Sequence, residues 1–188
     1  MTSAPRISQK TVTVFGSSRP REGESDYEDA RSLGRALAGA GFAVCCGGYD
    51  GVMAAVSCGA KERSGQTFGV TADFFANSKA NPWIDVEVRM HTWQERLFEL
   101  IRLGDAFVAC KGGTGTLVEL SVVWEMLNKS VIQAKPFAVL GNFWEPIIER
   151  VREVELAHQA PRGEATGPLI HRAATAAEVA SYLSANLK

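Results

Sequence analysis

Apolar residues along this chain fall into two alternating kinds of stretch. Short runs rich in Val, Phe, Thr and Ala read as strands: Thr11 to Gly16, Phe42 to Cys46, Thr67 to Ala72, Ala106 to Cys110 and Pro136 to Gly141. WIDVEVRM, around residue 86, alternates apolar and charged positions and reads as an edge strand. Between these lie longer segments with apolar residues three and four apart. They predict helices over Asp26–Ala40, Val52–Arg63, Thr92–Leu103, Thr116–Leu127, Glu145–Leu156 and Thr175–Leu187. Leu169–Arg172 is a short candidate final strand, and Thr175 with Glu178 has capping-box spacing. Strand followed by helix, with short connections, predicts right-handed βαβ units. The class is α/β: a parallel sheet of six to seven strands, doubly wound with helices on both faces.

At 188 residues the chain fits one domain, expected over 11–188 behind a polar tail at 1–10. That tail has no apolar core of its own and does not read as a secretory signal. No apolar run approaches the length of a membrane span. The net charge of −1, with signs interspersed, argues against nucleic-acid polymers or a membrane surface as partners. Cys45, Cys46, Cys58 and Cys110 have no C-x-x-C spacing, and His91, His158 and His171 are scattered. Reduced, buried thiols in a cytoplasmic protein are expected, with no metal site.

Three strand-to-helix turns are rich in small residues: Gly16-Ser17-Ser18, Gly47-Gly48, and Gly112-Gly113-Thr114-Gly115-Thr116. Ligands of open α/β sheets bind outside the carboxyl ends of the strands. Glycine admits an anion close to the backbone, and the first N–H groups of a helix lack partners within it. The turns together read as a phosphate cradle, with Thr114 and Thr116 adding hydroxyls. No Gly-Lys-Ser/Thr closes the third loop and no G-x-G-x-x-G is present, so a mononucleotide or sugar phosphate fits better than ATP or NAD. Glu119 stands three residues after Thr116, near the helix start, and reads either as a cap or as a carboxylate facing a ligand. Arg96, between Glu95 and Glu99, reads either as a solvated side chain or as a partner for Glu119 or a phosphate.

GGTGTLVE resembles the P-G-G-x-G-T-x-x-E signature of the Lonely Guy (LOG) family, often labelled "possible lysine decarboxylase". Val14 to Ser18, Gly47 to Ala60 and Glu95-Arg96 resemble further family stretches in order and spacing, so the likeness runs from Val12 to Phe143. It implies a Rossmann-like homodimer that cleaves the N-glycosidic bond of cytokinin riboside 5′-monophosphates, releasing base and ribose 5-phosphate. It maps the catalytic pair onto Arg96 and Glu119, and the phosphate loop onto Gly112 to Thr116. The family proline is Lys111 here, and the lysine after the arginine is Leu97. The short GGYDG turn is more similar to the branch with molybdenum-cofactor carriers.

The expected reaction is therefore hydrolysis of a nucleoside 5′-monophosphate through an oxocarbenium-like state, needing no metal and no cofactor. Trp93, Phe74 and Met90 are candidates for the base pocket, though core packing is the more ordinary role for each. Val122, Val123, Met126 and Leu127 give the helix after the loop more apolar residues than one buried face needs, which suits a homodimer. The alternative is a binding protein that carries a nucleotide or molybdenum cofactor without turnover. Lysine decarboxylation is disfavoured, since no lysine stands in a recognisable pyridoxal-phosphate context.

Overall fold

The computed structural model describes residues 9–73, 79–157 and 169–187. The elements are β1 (Thr11–Phe15), α1 (Ser25–Gly39), β2 (Ala43–Cys46), α2 (Val52–Lys61), β3 (Thr67–Ala72), β4 (Val86–Met90) and α3 (Trp93–Leu103). Then come β5 (Ala106–Ala109), α4 (Thr114–Asn128), β6 (Phe137–Leu140), α5 (Glu145–Ala157), β7 (His171–Ala173) and α6 (Ala176–Asn186). The seven strands form one sheet in the order β4-β3-β2-β1-β5-β6-β7, every pair parallel. This is the expected α/β architecture, with WIDVEVRM supplying the β4 edge.

Side chains alternate across the sheet and fill two layers. Val12, Val14, Val44 and Val108 face α1, α2 and α6, meeting Leu33, Leu37, Val56 and Leu183. Phe15, Phe68, Phe107 and Phe137 face the other way, onto Leu97, Leu100, Leu120, Val123 and Ile148. Thr13 is fully buried, and its hydroxyl donates to the carbonyl of Leu100 at 2.9 Å. The four cysteines are free and buried, as expected; burial pushes the Cys110 thiol up to about 12.

Helix termini follow local chemistry. Thr92 and Glu95 form a complete capping box on α3. At α6 the Thr175 hydroxyl accepts from Glu178 N, while the Glu178 carboxylate reaches Ala174 N rather than the cap residue itself. Trp144 is buried and donates its ring N–H to the carbonyl of Cys110 at 2.9 Å, tying α5's entry to the end of β5.

Reciprocal glycines let α1 and α2 cross closely. A Cβ on Gly34 would stand 2.0 Å from the Val56 carbonyl oxygen, and one on Gly59 would stand 1.9 Å from that of Arg31. Both obstacles are backbone, so neither can swing aside. Gly34→Val should therefore force the helices apart and destabilise the fold by ~2 kcal/mol or more. Urea unfolding measures this directly, and an unchanged midpoint would contradict the crossing.

Candidate active site

The strand order reverses between β1 and β5, and the loops that follow these two strands flank that point. The backbone stitches the three glycine turns together. Ser17 N donates to Lys111 O at 3.2 Å, and Val52 N donates to Ser17 O at 2.8 Å. Gly51 holds a φ of 67°, and a Cβ on it would meet Ser17 and Ser18 backbone within 2.7 Å. Gly48 also has a positive φ, 78°. These two turn positions need glycine for conformation and space together.

The third loop works differently. Gly113 is the N-cap of α4 with φ −94° and ψ −154°, angles open to any residue, and it makes no side-chain cap. A Cβ on Gly113 or Gly115 would meet nothing within 4 Å. Glycine here leaves space over an uncapped helix N-terminus rather than satisfying a backbone angle. Gly112 is tighter: a Cβ would stand 2.2 Å from Thr116 Oγ1. Thr116 is consequently buried beneath Gly112, whereas Thr114 is exposed.

α4 begins at Thr114, two residues earlier than the apolar spacing implies, because an open N-terminal turn tolerates Gly115. Glu119 thus lies beyond the first turn, which contains no acidic residue, so the capping role is excluded by position. The carboxylate is part-buried instead. Removal from water lifts its pKa from the ordinary 4.5 to about 7, against an opposing pull from the Arg96 charge. A group poised there exchanges a proton readily at neutral pH.

Arg96 is not the solvated arginine that flanking glutamates suggest. It is 7% exposed. Its Nε donates to Val70 O at 2.7 Å, and a terminal nitrogen donates to Gly47 O at 3.0 Å. The guanidinium lies 5.4 Å from the centre of the Tyr49 ring. A Cβ on Gly47 would stand 1.8 Å from that terminal nitrogen, so Gly47 makes room for the arginine. Burial pushes the Cys46 thiol up, with the Arg96 charge opposing and the Glu119 charge adding to the shift.

Tyr49 and Asn81 are participants that spacing alone did not single out. The Tyr49 hydroxyl donates to Ala72 O and accepts from Ala72 N. Asn81, 7% exposed, donates its amide to Tyr49 O at 2.9 Å, and its backbone N donates to Gly48 O at 2.8 Å. Tyr49 lay inside the quoted GGYDG turn, but nothing local predicted a contact with residue 81. Of the base-pocket candidates, Met90 is part-buried, Trp93 is 37% exposed at the start of α3 rather than core, and Phe74 lies outside the described residues. Leu97, where the LOG pattern has lysine, is a core residue at 5% exposure.

Residues 9–162 match the family described as SLOG cluster4. The chain belongs to that family. A cytokinin riboside 5′-monophosphate phosphoribohydrolase of Rhodococcoides fascians is 28% identical over 154 residues, 78% of this chain and 76% of that protein. The protein of the same name from Mycobacterium marinum is 33% identical, over 71% and 73% of the two chains. Among solved structures, the molybdenum cofactor binding protein of Rippkaea orientalis superposes with a TM-score of 0.72 at 20% identity, over 94% and 96% of the chains. The molybdenum cofactor carrier protein of Chlamydomonas reinhardtii gives 0.67 at 22%, over 92% and 95%. At these identities the two structures establish the Rossmann-like fold.

Burial makes Glu119 sensitive to pH. Its raised pKa means the folded SLOG cluster4 chain holds the proton more tightly than the unfolded chain does. Stability contributed by that proton is complete below about 4.5 and is lost as pH rises through about 7. Glu119→Gln removes the charged form, so at pH 8 it should be more stable than wild type by ~1–3 kcal/mol, the gap closing towards pH 4.5. Thermal melts across that range test this; a gap independent of pH would refute it.

Proposed function

We propose that this protein hydrolyses the N-glycosidic bond of a nucleoside 5′-monophosphate, releasing a free base and ribose 5-phosphate. The observation that carries the reading is Glu119, held near neutrality beside buried Arg96 and a turn beyond an uncapped helix N-terminus. Named relatives that are cytokinin riboside 5′-monophosphate phosphoribohydrolases support it.

The 5′-phosphate rests on the loop Gly112 to Thr116, where open space meets unsatisfied N–H groups and the helix dipole. Gly16, Ser17 and Ser18 form its rim, backed by buried Gly47 and Gly48, whose carbonyls accept from Arg96 and Asn81. Glu119 faces the ribose. As the bond between C1′ and the base nitrogen breaks, its electrons leave with the base and positive charge builds on the ribosyl ring. The ionised carboxylate stabilises that charge and takes a proton from the water whose oxygen bonds to C1′. The base is protonated from solvent. Arg96, anchored to two carbonyl oxygens, keeps part of Glu119 ionised at neutral pH despite burial.

The functional unit is a homodimer. Val123 and Leu127 of α4 are buried in their own subunit, while Val118, Val122 and Met126 remain partly exposed at four-residue spacing. Phe98, on α3, is 53% exposed. A second copy covers this apolar strip.

Wild-type protein incubated with AMP and N6-substituted AMP should release free base. Glu119→Gln should retain AMP affinity yet lose ~10²-fold or more in rate, and Arg96→Ala should add little to that loss. Gly113→Val should stay folded, since its side chain enters open space, and lose AMP binding in calorimetry. A folded Glu119→Gln enzyme with the wild-type rate defeats the catalytic assignment. Tight nucleotide binding without release of base from any substrate makes the protein a carrier.

Sedimentation at micromolar concentration should give twice the 20.3 kDa of one chain. A monomer alone would remove the dimer.

A further inference from the structure

A cleft of about 550 Å³ opens at the carboxyl ends of β5, β6 and β7. Asp26, Asp29, Lys111, Asn142, Phe143 and Thr175 are among its lining residues. It lies on the α1 and α6 side of the sheet, whereas Glu119 and Arg96 belong to helices on the opposite side. The volume is that of a small-molecule site.

Lys111 joins the cleft to the phosphate loop. It immediately precedes Gly112, and its carbonyl accepts from Ser17 N, at the turn after β1. Its ammonium belongs to the cleft's lining, 2.8 Å from Asp26 Oδ2 and 6.0 Å from the centre of the Phe143 ring. The side chain is 53% exposed and that of Asp26 31%, so water screens the pair. An ammonium has three donors and can keep Asp26 while adding an anionic oxygen. The LOG pattern has proline at this position, which offers neither charge nor donor.

We infer that the cleft is a second subsite beside the nucleotide site, and that the protein also binds a nucleoside diphosphate or a pyrophosphate-linked nucleotide there, the monophosphate remaining the molecule that is hydrolysed. The first phosphate occupies the glycine loop, and the second meets Lys111 at the junction. The group beyond it enters the cleft, against Phe143. Asp29 lies one turn from Asp26 on α1 and offers an acceptor for hydroxyl groups of that part. Such a ligand straddles the sheet where the strand order reverses, as pyrophosphates do in other open α/β folds. The inference rests on the phosphate-loop reading above.

Calorimetry with AMP, ADP and ADP-glucose on wild type and Lys111→Met tests it. Wild type should bind ADP about tenfold more tightly than AMP, as expected for one added charge-assisted contact. ADP-glucose should bind at least as well as ADP. In Lys111→Met, an exposed change that leaves the core intact, the ADP-to-AMP ratio should fall to about one. Equal affinities in wild type, a ratio that survives the substitution, or rejection of ADP-glucose overturns the second subsite while leaving the nucleotide site standing. If neither AMP nor ADP binds, the phosphate-loop reading fails and this inference fails with it.

Discussion

A guanidinium taken out of water must find acceptors or it destabilises the fold. Arg96 finds them in the carbonyls of Val70 and Gly47, one inside β3 and one just past the end of β2. The side chain therefore does more than supply charge. It pins α3 to two neighbouring strands of the sheet. It also lies against the Tyr49 ring, whose hydroxyl is clasped by both backbone groups of Ala72. The charge that acts on Glu119 is thus fixed in position by the fold itself.

The glycine turns divide the remaining work. Those after β1 and β2 are packed against one another, and their glycines answer to neighbours: Val52 over Gly16, Arg96 over Gly47, Ser17 and Ser18 over Gly51. The loop after β5 is the reverse, with Gly113 and Gly115 bordering open space. Two turns build a rigid wall, and the third leaves room in front of it. Lys111 stands at the boundary, its backbone in the wall and its side chain in the cleft behind.

Much of this was legible along the chain. Parallel strands buried on both faces must be near-continuous apolar runs, and five such runs plus an alternating edge strand lie where the sheet has them. The third glycine loop and Glu119 could be singled out because composition changes abruptly there. What local pattern could not convey was long-range. Arg96 sits among glutamates on an amphipathic helix, and spacing leaves open whether it is solvated or a partner for Glu119 or a phosphate; only the approach of Gly47, 49 residues away, makes its burial possible. Apolar spacing starts α4 two residues late because Thr-Gly-Thr resembles loop, although a helix end with open N–H groups accommodates glycine. Asn81 carried no signal, since its partners Gly48 and Tyr49 come from a different turn.

The contact between Gly47 and Arg96 also couples two positions far apart in the chain. A Cβ added at 47 would stand 1.8 Å from a terminal nitrogen of Arg96, so a side chain there and the guanidinium would claim the same volume. The arginine cannot be accepted in its present rotamer while any larger residue occupies position 47. The two positions are therefore coupled: the missing side chain at 47 permits the buried arginine, and the buried arginine in turn restricts what position 47 can hold.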